Sequence, residues 1–187
     1  AVDANAGASA GDVFGASDTS GTVSVSNAEG VAPSVSSDAV KSAQSQESVP
    51  KTRIERLAER ADGKRKELRE NQRGVSYFEL FGPYLAGAKN IVVKDAYVRI
   101  PYQLRNFAEF LETVLSCKDS SDEVQVHLVT GRNDPMYVQS QIDGLEQLKS
   151  IFAQLGIDFT FEFSDTLHDR SITTDTGWLI LPGRGLD

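Results

Sequence analysis

Residues Asn90–Thr130 read NIVVKDAYVRIPYQLRNFAEFLETVLSCKDSSDEVQVHLVT, and this stretch decides the fold class. Asn90 to Asp95, with Ile91-Val92-Val93 at its centre, has the short, β-branched, apolar character of a buried strand. From Leu104 onward, Phe107, Ala108, Leu111, Val114 and Leu115 recur at helical spacing, which predicts an amphipathic helix ending near Cys117. The polar loop Lys118–Glu123 follows, and Val124–Thr130 reads as a second strand. A strand, a helix and a strand in succession imply a right-handed crossover between parallel strands.

The pattern continues toward the C-terminus. Gly131-Arg132-Asn133-Asp134-Pro135 reads as a turn, with Pro135 suited to open the next helix. Ile142, Leu145, Leu148, Ile151, Phe152 and Leu155 make its expected core face, and Gly156 its stop. Asp158–Phe163 alternates as a third strand with one aromatic face, and Trp178–Leu181 reads as a fourth. The expected fold class is therefore α/β, a largely parallel sheet flanked by helices.

Toward the N-terminus, Ser76-x-x-Glu79 has the form of a capping box ahead of Tyr77, Phe78, Leu80 and Phe81, with Gly82-Pro83 expected to bend or end that helix. Lys51 to Arg73 is rich in both charges. Ile54, Leu57, Ala58 and Ala61 give it a narrow apolar stripe, weakened at Gly63. It reads as a charged helical connector, or as a basic helix that touches nucleic acid or an acidic partner. In residues 1–50, Ser, Ala, Gly, Val and Asp dominate, Phe14 is the sole aromatic residue and Lys41 the sole base. So little apolar surface predicts a disordered acidic linker. The expected organisation is a linker over 1–50, a connector over 51–73 and an α/β domain over 74–187.

The 187 residues carry a net charge of −8 and a single cysteine, Cys117. One cysteine excludes an internal disulfide framework and fits a reducing cytoplasm, which is the expected location. No apolar run reaches the about 18–20 residues that span a bilayer, and no signal peptide is evident. Because the chain opens at Ala1 and closes just after a Gly-Arg-Gly turn, it is expected to be a piece of a longer protein, truncated within its last domain.

In open α/β sheets, ligands gather beyond the carboxyl ends of the strands. Asp95, Tyr97 and Arg99 follow the first predicted strand, Thr130, Arg132 and Asn133 the second, and His168 with Arg170 the third. Arginines beside a histidine can cradle an anion, so the candidate anion-binding set is Asp95, Arg99, Thr130, Arg132, His168 and Arg170. The competing reading makes Asp95 and Arg99 a structural ion pair. His127, inside a strand, reads as a hydrogen-bonded strand residue. No Cys/His/acid cluster has metal spacing, so neither a metal nor a cofactor is expected.

His168, Arg170 and Asp175 fit H-x-[K/R]-x4-D, the spacing of the phosphodiester motif in the phospholipase D superfamily, with arginine in the lysine position. If the chain is an enzyme, these three are its candidate catalytic residues, with His168 as nucleophile. Arginine stays protonated, which suits anion recognition better than turnover. The other reading of His168 and Asp169 is the start of a surface turn.

Taken together, Ser76-Tyr77-Phe78-Glu79-Leu80-Phe81-Gly82-Pro83-Tyr84-Leu85, Asp95-Ala96-Tyr97-Val98-Arg99, His127-Leu128-Val129-Thr130, His168-Asp169-Arg170, Thr174-Asp175-Thr176-Gly177-Trp178 and Gly183-Arg184-Gly185-Leu186-Asp187 resemble the phospholipase D-like domain at the C-terminus of MIT-domain proteins. A similar domain ends the Lon-like AAA+ proteins of BREX-type bacterial phage defence, and Glu70–Tyr77 fits that branch best. The resemblance covers about residues 70–187. It implies a phospholipase D-like fold with a pocket at His168, Arg170, Asp95 and Arg99. The function expected from it is non-catalytic binding of a phosphate-containing ligand, aiding DNA binding or assembly of an oligomeric ATPase parent. Two alternatives stand beside it: a metal-independent phosphodiesterase or nuclease acting as a dimer, and an anionic-lipid-binding module.

Overall fold

The computed structural model describes residues 21–27, 50–68, 74–183 and 186. In chain order its elements are β1 (Gly21–Asn27), α1 (Arg53–Ala58), β2 (Lys66–Leu68), α2 (Tyr77–Leu85), β3 (Asn90–Lys94), α3 (Pro101–Cys117), β4 (Val124–Thr130), α4 (Val138–Ala153), β5 (Ile157–Phe163), β6 (Ser171–Thr174) and β7 (Trp178–Pro182). The strands form one sheet in the order β2-β1-β7-β6-β3-β4-β5.

The α/β class holds, but the sheet is mixed rather than largely parallel. Only β3, β4 and β5 run parallel, whereas β6 lies antiparallel to β3 and β7 antiparallel to β6. Within residues 74–187, the strand that sequence reasoning missed is β6. Its four residues, Ser171-Ile172-Thr173-Thr174, lie inside the stretch read as a phosphodiester motif, and Gly177 at φ 91° turns the chain directly back into β7. A hairpin therefore stands where a parallel crossover was expected.

The helices also flank the sheet on one side only. The two crossovers step in one direction, β3 to β4 to β5, so right-handed connections put α3 and α4 on the same face. That face carries Ile91, Val93, Val126, Leu128, Phe159, Ile172 and Ile180, all buried, beneath Phe81, Phe107, Phe110 and Leu145. Phe107 meets Phe159 at 5.2 Å between ring centroids, and Phe81 meets Phe110 edge-on at 5.9 Å. On the opposite face, Lys94, Gln125, Thr160 and Glu162 are exposed. Among the described residues no helix covers that face.

Other boundaries moved for local reasons. The Ser76/Glu79 capping box is present, yet α2 runs through Gly82-Pro83 to Leu85. Burial of Tyr84 and Leu85, each 1 % exposed, outweighs the backbone hydrogen bond lost at proline. Pro135 belongs to a turn in which the Asp134 carbonyl accepts from Tyr137 N and Val138 N (2.8 and 3.0 Å), so α4 opens at Val138. Its buried face is Gln141, Leu145 and Phe152, while Ile151 and Leu155 lie exposed on its flank.

Among the described residues of the 51–73 segment, 51–68, helix is confined to α1, and β2 follows Gly63. Within the expected linker, Gly21–Asn27 pairs with both β7 and β2. Its alternation, GTVSVSN, is the strand signal that the overall composition hid. The rest of residues 1–49, and Arg69 to Arg73, lie outside the described residues.

The charged segment is fastened to the domain through Tyr84. Its hydroxyl donates to Asp62 O and Oδ1, both at 3.0 Å, and Lys66 Nζ sits 5.5 Å from the ring centroid. Burial, reinforced by the Asp62 carboxylate, pushes the Tyr84 phenol from 10.0 to about 12. The folded state therefore holds the proton more tightly than the unfolded chain. That stabilisation is complete below pH 10 and is lost as pH rises toward 12. Denaturation midpoints measured across this window should fall with pH, and Tyr84→Phe should flatten the decline.

Two loops at the carboxyl ends of β3 and β4 are tied by one buried amide. Gln141, 1 % exposed, donates from Nε2 to Val98 O and Gly131 O, both at 2.9 Å, and accepts from Asn133 N at 2.9 Å. The loops touch so closely that a Cβ on Gly131 would fall 2.7 Å from Ala96 O. Gln141→Leu would keep the bulk but take the side-chain partner from Gly131 O and Asn133 N and leave Val98 O with Thr130 Oγ1 alone. Urea titration should show a loss of about 1–3 kcal/mol.

Candidate functional site

Parallel strands that end together bring their following loops to one edge, and there the structure collects most of the candidate residues. Asp95 comes first after β3, held by Asp95 N donating to Val129 O at 3.0 Å. Its carboxylate, 4 % exposed, accepts from Tyr97 N through Oδ1 and from Leu186 N through Oδ2, both at 3.0 Å. Arg170 Nε lies 3.7 Å from Oδ1. The structural ion pair is therefore Asp95–Arg170 and not Asp95–Arg99.

Both arginines rest on one aromatic ring. The guanidinium carbon of Arg170 is 4.3 Å from the Tyr97 ring centroid and that of Arg99 is 4.9 Å from it. Arg170 Nη1 also donates to Gly183 O at 3.4 Å, and Arg99 Nη1 to Arg132 O at 3.5 Å. Gln103 fixes the start of α3 beside them, its Oε1 accepting from Arg99 N and Ile100 N at 3.2 and 3.3 Å. Tyr97, His168, Arg170, Ser171 and Leu181 line an open cleft of about 700 Å³.

The remaining candidates lie around this centre. The Arg132 side chain turns toward the end of β5, with its guanidinium carbon 4.7 Å from the Phe163 ring. Thr130 is fully buried beneath the loops and donates to Val98 O at 3.5 Å. His168 is exposed on the cleft wall, and no hydrogen bond or ion pair orients it among the described residues. Asp175 lies at the other end of β6. There it accepts from Lys89 N at 3.0 Å and Asn90 Nδ2 at 3.3 Å, closing the β6–β7 turn onto the start of β3. The three residues of the H-x-R-x4-D pattern thus do not converge.

His127 is a strand residue, as its pattern suggested. Its Nδ1 lies 2.9 Å from Thr160 Oγ1. Cys117 is 1 % exposed, and burial pushes its thiol from 9.0 to about 12, which removes it as a nucleophile. No cluster that could hold a metal occurs among the described residues.

Sequence reasoning noted Tyr97 only by position and missed its role as the platform for two cations. It also missed Gln141, although a glutamine one turn before Leu145 on a core face was a legible sign of a buried polar tie. Nor did it foresee the exposed apolar rim beside the cleft. Ile100, Met136 and Tyr137, 38 %, 79 % and 57 % exposed, project from the same two loops, and Tyr102, 45 % exposed, from the first turn of α3.

Comparison with known proteins agrees with this architecture. Residues 74–187 match the family described as the phospholipase D-like domain at the C-terminus of MIT. The mouse protein named MIT domain-containing protein 1 is 34 % identical over 135 residues, which are 69 % of this chain and 53 % of that protein. The chain thus spans about half the length of that mouse protein. No helix among the described residues is long and apolar enough to cross a membrane. By the match over residues 74–187, the chain belongs to the family of phospholipase D-like domains that end MIT-domain proteins.

Proposed function

We propose that this domain is a non-catalytic phosphate-binding module whose ligand is carried on an anionic lipid surface. The observation that carries the reading is the pair of guanidiniums, Arg99 and Arg170, on the half-exposed Tyr97 ring at the mouth of the cleft. Asp95 is buried and engaged with two backbone amides and Arg170, so it orders the cations and leaves anion contact to Arg99, Arg170 and His168. Arg132 adds positive charge alongside, and Thr130 supports the loop from below.

Hydrolysis is disfavoured by the same geometry. A histidine nucleophile works when a second group orients it, and Asp175 is committed at the far end of β6. The arginine in the lysine position keeps its proton.

Among phosphate-bearing surfaces, the rim favours lipid. Tyrosines suit the boundary between headgroups and acyl chains, and basic groups near an anionic leaflet add attraction. Tyr102, Met136 and Tyr137 with the three arginines have that composition. The finer reading, a C-terminal module of a Lon-like phage-defence ATPase that aids DNA binding or assembly, rests on the likeness at Glu70–Tyr77. The mouse relative is named instead as an MIT-domain protein.

In vesicle flotation, the domain should bind membranes containing anionic phosphoinositides and not pure phosphatidylcholine. Arg170→Ala should weaken binding roughly tenfold or more, as expected for a lost charged hydrogen bond. Met136→Asp should weaken vesicle binding while sparing a soluble inositol phosphate headgroup. DNA binding of equal strength, lost on Arg170→Ala, would favour the other surface. Metal-free phosphodiester hydrolysis in EDTA that disappears in His168→Ala would overturn the non-catalytic reading.

A further inference from the structure

β5 is the outer strand of the sheet, and its free edge has a definite polarity of chemistry. Val124 N donates to Gly156 O at 3.1 Å, and Ser164 N donates to Thr130 O at 2.8 Å. The even-numbered residues between them therefore turn their backbone groups toward β4. Alternation directs the N–H and C=O groups of Ile157, Phe159, Phe161 and Phe163 outward. No described residue pairs with this edge.

A seven-residue edge with an aromatic face is a template for another strand. Its open-face side chains are Asp158, Thr160 and Glu162, all exposed. Glu162 lies 3.7 Å from His127 Nε2, a group that carries charge only when protonated, and Asp158 has no ion pair among the described residues. Consider a second copy of β5 added antiparallel in the register that pairs all seven residues. Thr160 would face Thr160, and each Asp158 would face the Glu162 of its mate. Like charges directly opposite one another destabilise such a pair.

The same two carboxylates favour a strand with cations at alternate positions. We propose that the β5 edge is a β-augmentation site for an extended segment of a partner protein that carries lysine or arginine opposite Asp158 and Glu162. Apolar residues at the intervening positions would continue the Phe159-Phe161-Phe163 face. Charge thus bars full-length self-pairing and selects a basic partner. This edge shares no residue with the lining of the arginine cleft and approaches its cations only where Arg132 meets Phe163.

The probe is a blocked decapeptide of alternating lysine and valine, with a threonine and valine peptide as the uncharged control. The lysine peptide should bind at least about tenfold tighter. It should slow amide hydrogen exchange at Ile157, Phe159, Phe161 and Phe163. Asp158→Lys with Glu162→Lys should abolish that preference, and Arg170→Ala should leave it intact. No binding, binding without protection of those four amides, or equal affinity for the two peptides would overturn the proposal. An independent check is Glu162→Lys alone, which sets Asp158 opposite Lys at 162 in the mate. Sedimentation should show stronger self-association than wild type, and its absence would refute the charge argument.

Discussion

The carboxylate of Asp95 is the constraint on which the site depends. Three parts of the chain meet on it: the turn after β3 through Tyr97 N, the residue leading into β6 through Arg170, and the segment after β7 through Leu186 N. A buried carboxylate is costly unless it is paired and hydrogen-bonded. Here both oxygens are engaged, and satisfying them fixes where two arginines and a tyrosine sit. The cations can then crowd onto one ring because the acid beneath offsets part of their mutual repulsion. The net charge of −8 over the chain and the positive character of this edge are compatible for that reason.

Around this centre the fold is asymmetric. Two crossovers in one direction place α3 and α4 over one face, and the hairpin of β6 and β7 extends the sheet without adding a helix. Apolar volume is therefore concentrated on one side, in the phenylalanines at 81, 107, 110 and 159. The other side keeps the exposed polar character typical of antiparallel sheets, although three of its strands are parallel. The cleft lies where this open face meets the loops, since Leu181 and Ser171 line it alongside Tyr97.

Much of this was legible from the residues. Long amphipathic periods such as Phe107 to Val114 carry a strong signal, and the strands at β3, β4 and β5 followed from β-branched and aromatic runs. The hairpin strand β6 did not, because four small or β-branched residues inside a motif carry too little periodicity to stand out. Parallel or antiparallel pairing is likewise a property of connections, and Gly177 shortened the one that mattered. Position after a strand put Asp95, Arg99 and Arg170 at one edge of the sheet, and in the structure the three lie near one another around Tyr97. Spacing alone could not show that Asp175 points to a different job, because an extended strand between Arg170 and Asp175 carries them apart. Nor could it pair Asp95 with Arg170 over Arg99, a choice made by tertiary geometry.

The bond from Leu186 N to Asp95 spans 91 positions in sequence. Tyr77 closes a still longer loop by donating its hydroxyl to the Leu186 carbonyl. Such separations make chain closure slow relative to local helix formation. On a translating ribosome α2, α3 and α4 could form early, yet the carboxylate that organises the arginines would lack one of its donors until residue 186 had emerged. Completion of the arginine cleft is in this sense a late-maturing property of the chain. The helical layer can be complete in a nascent molecule that does not yet possess a finished cleft.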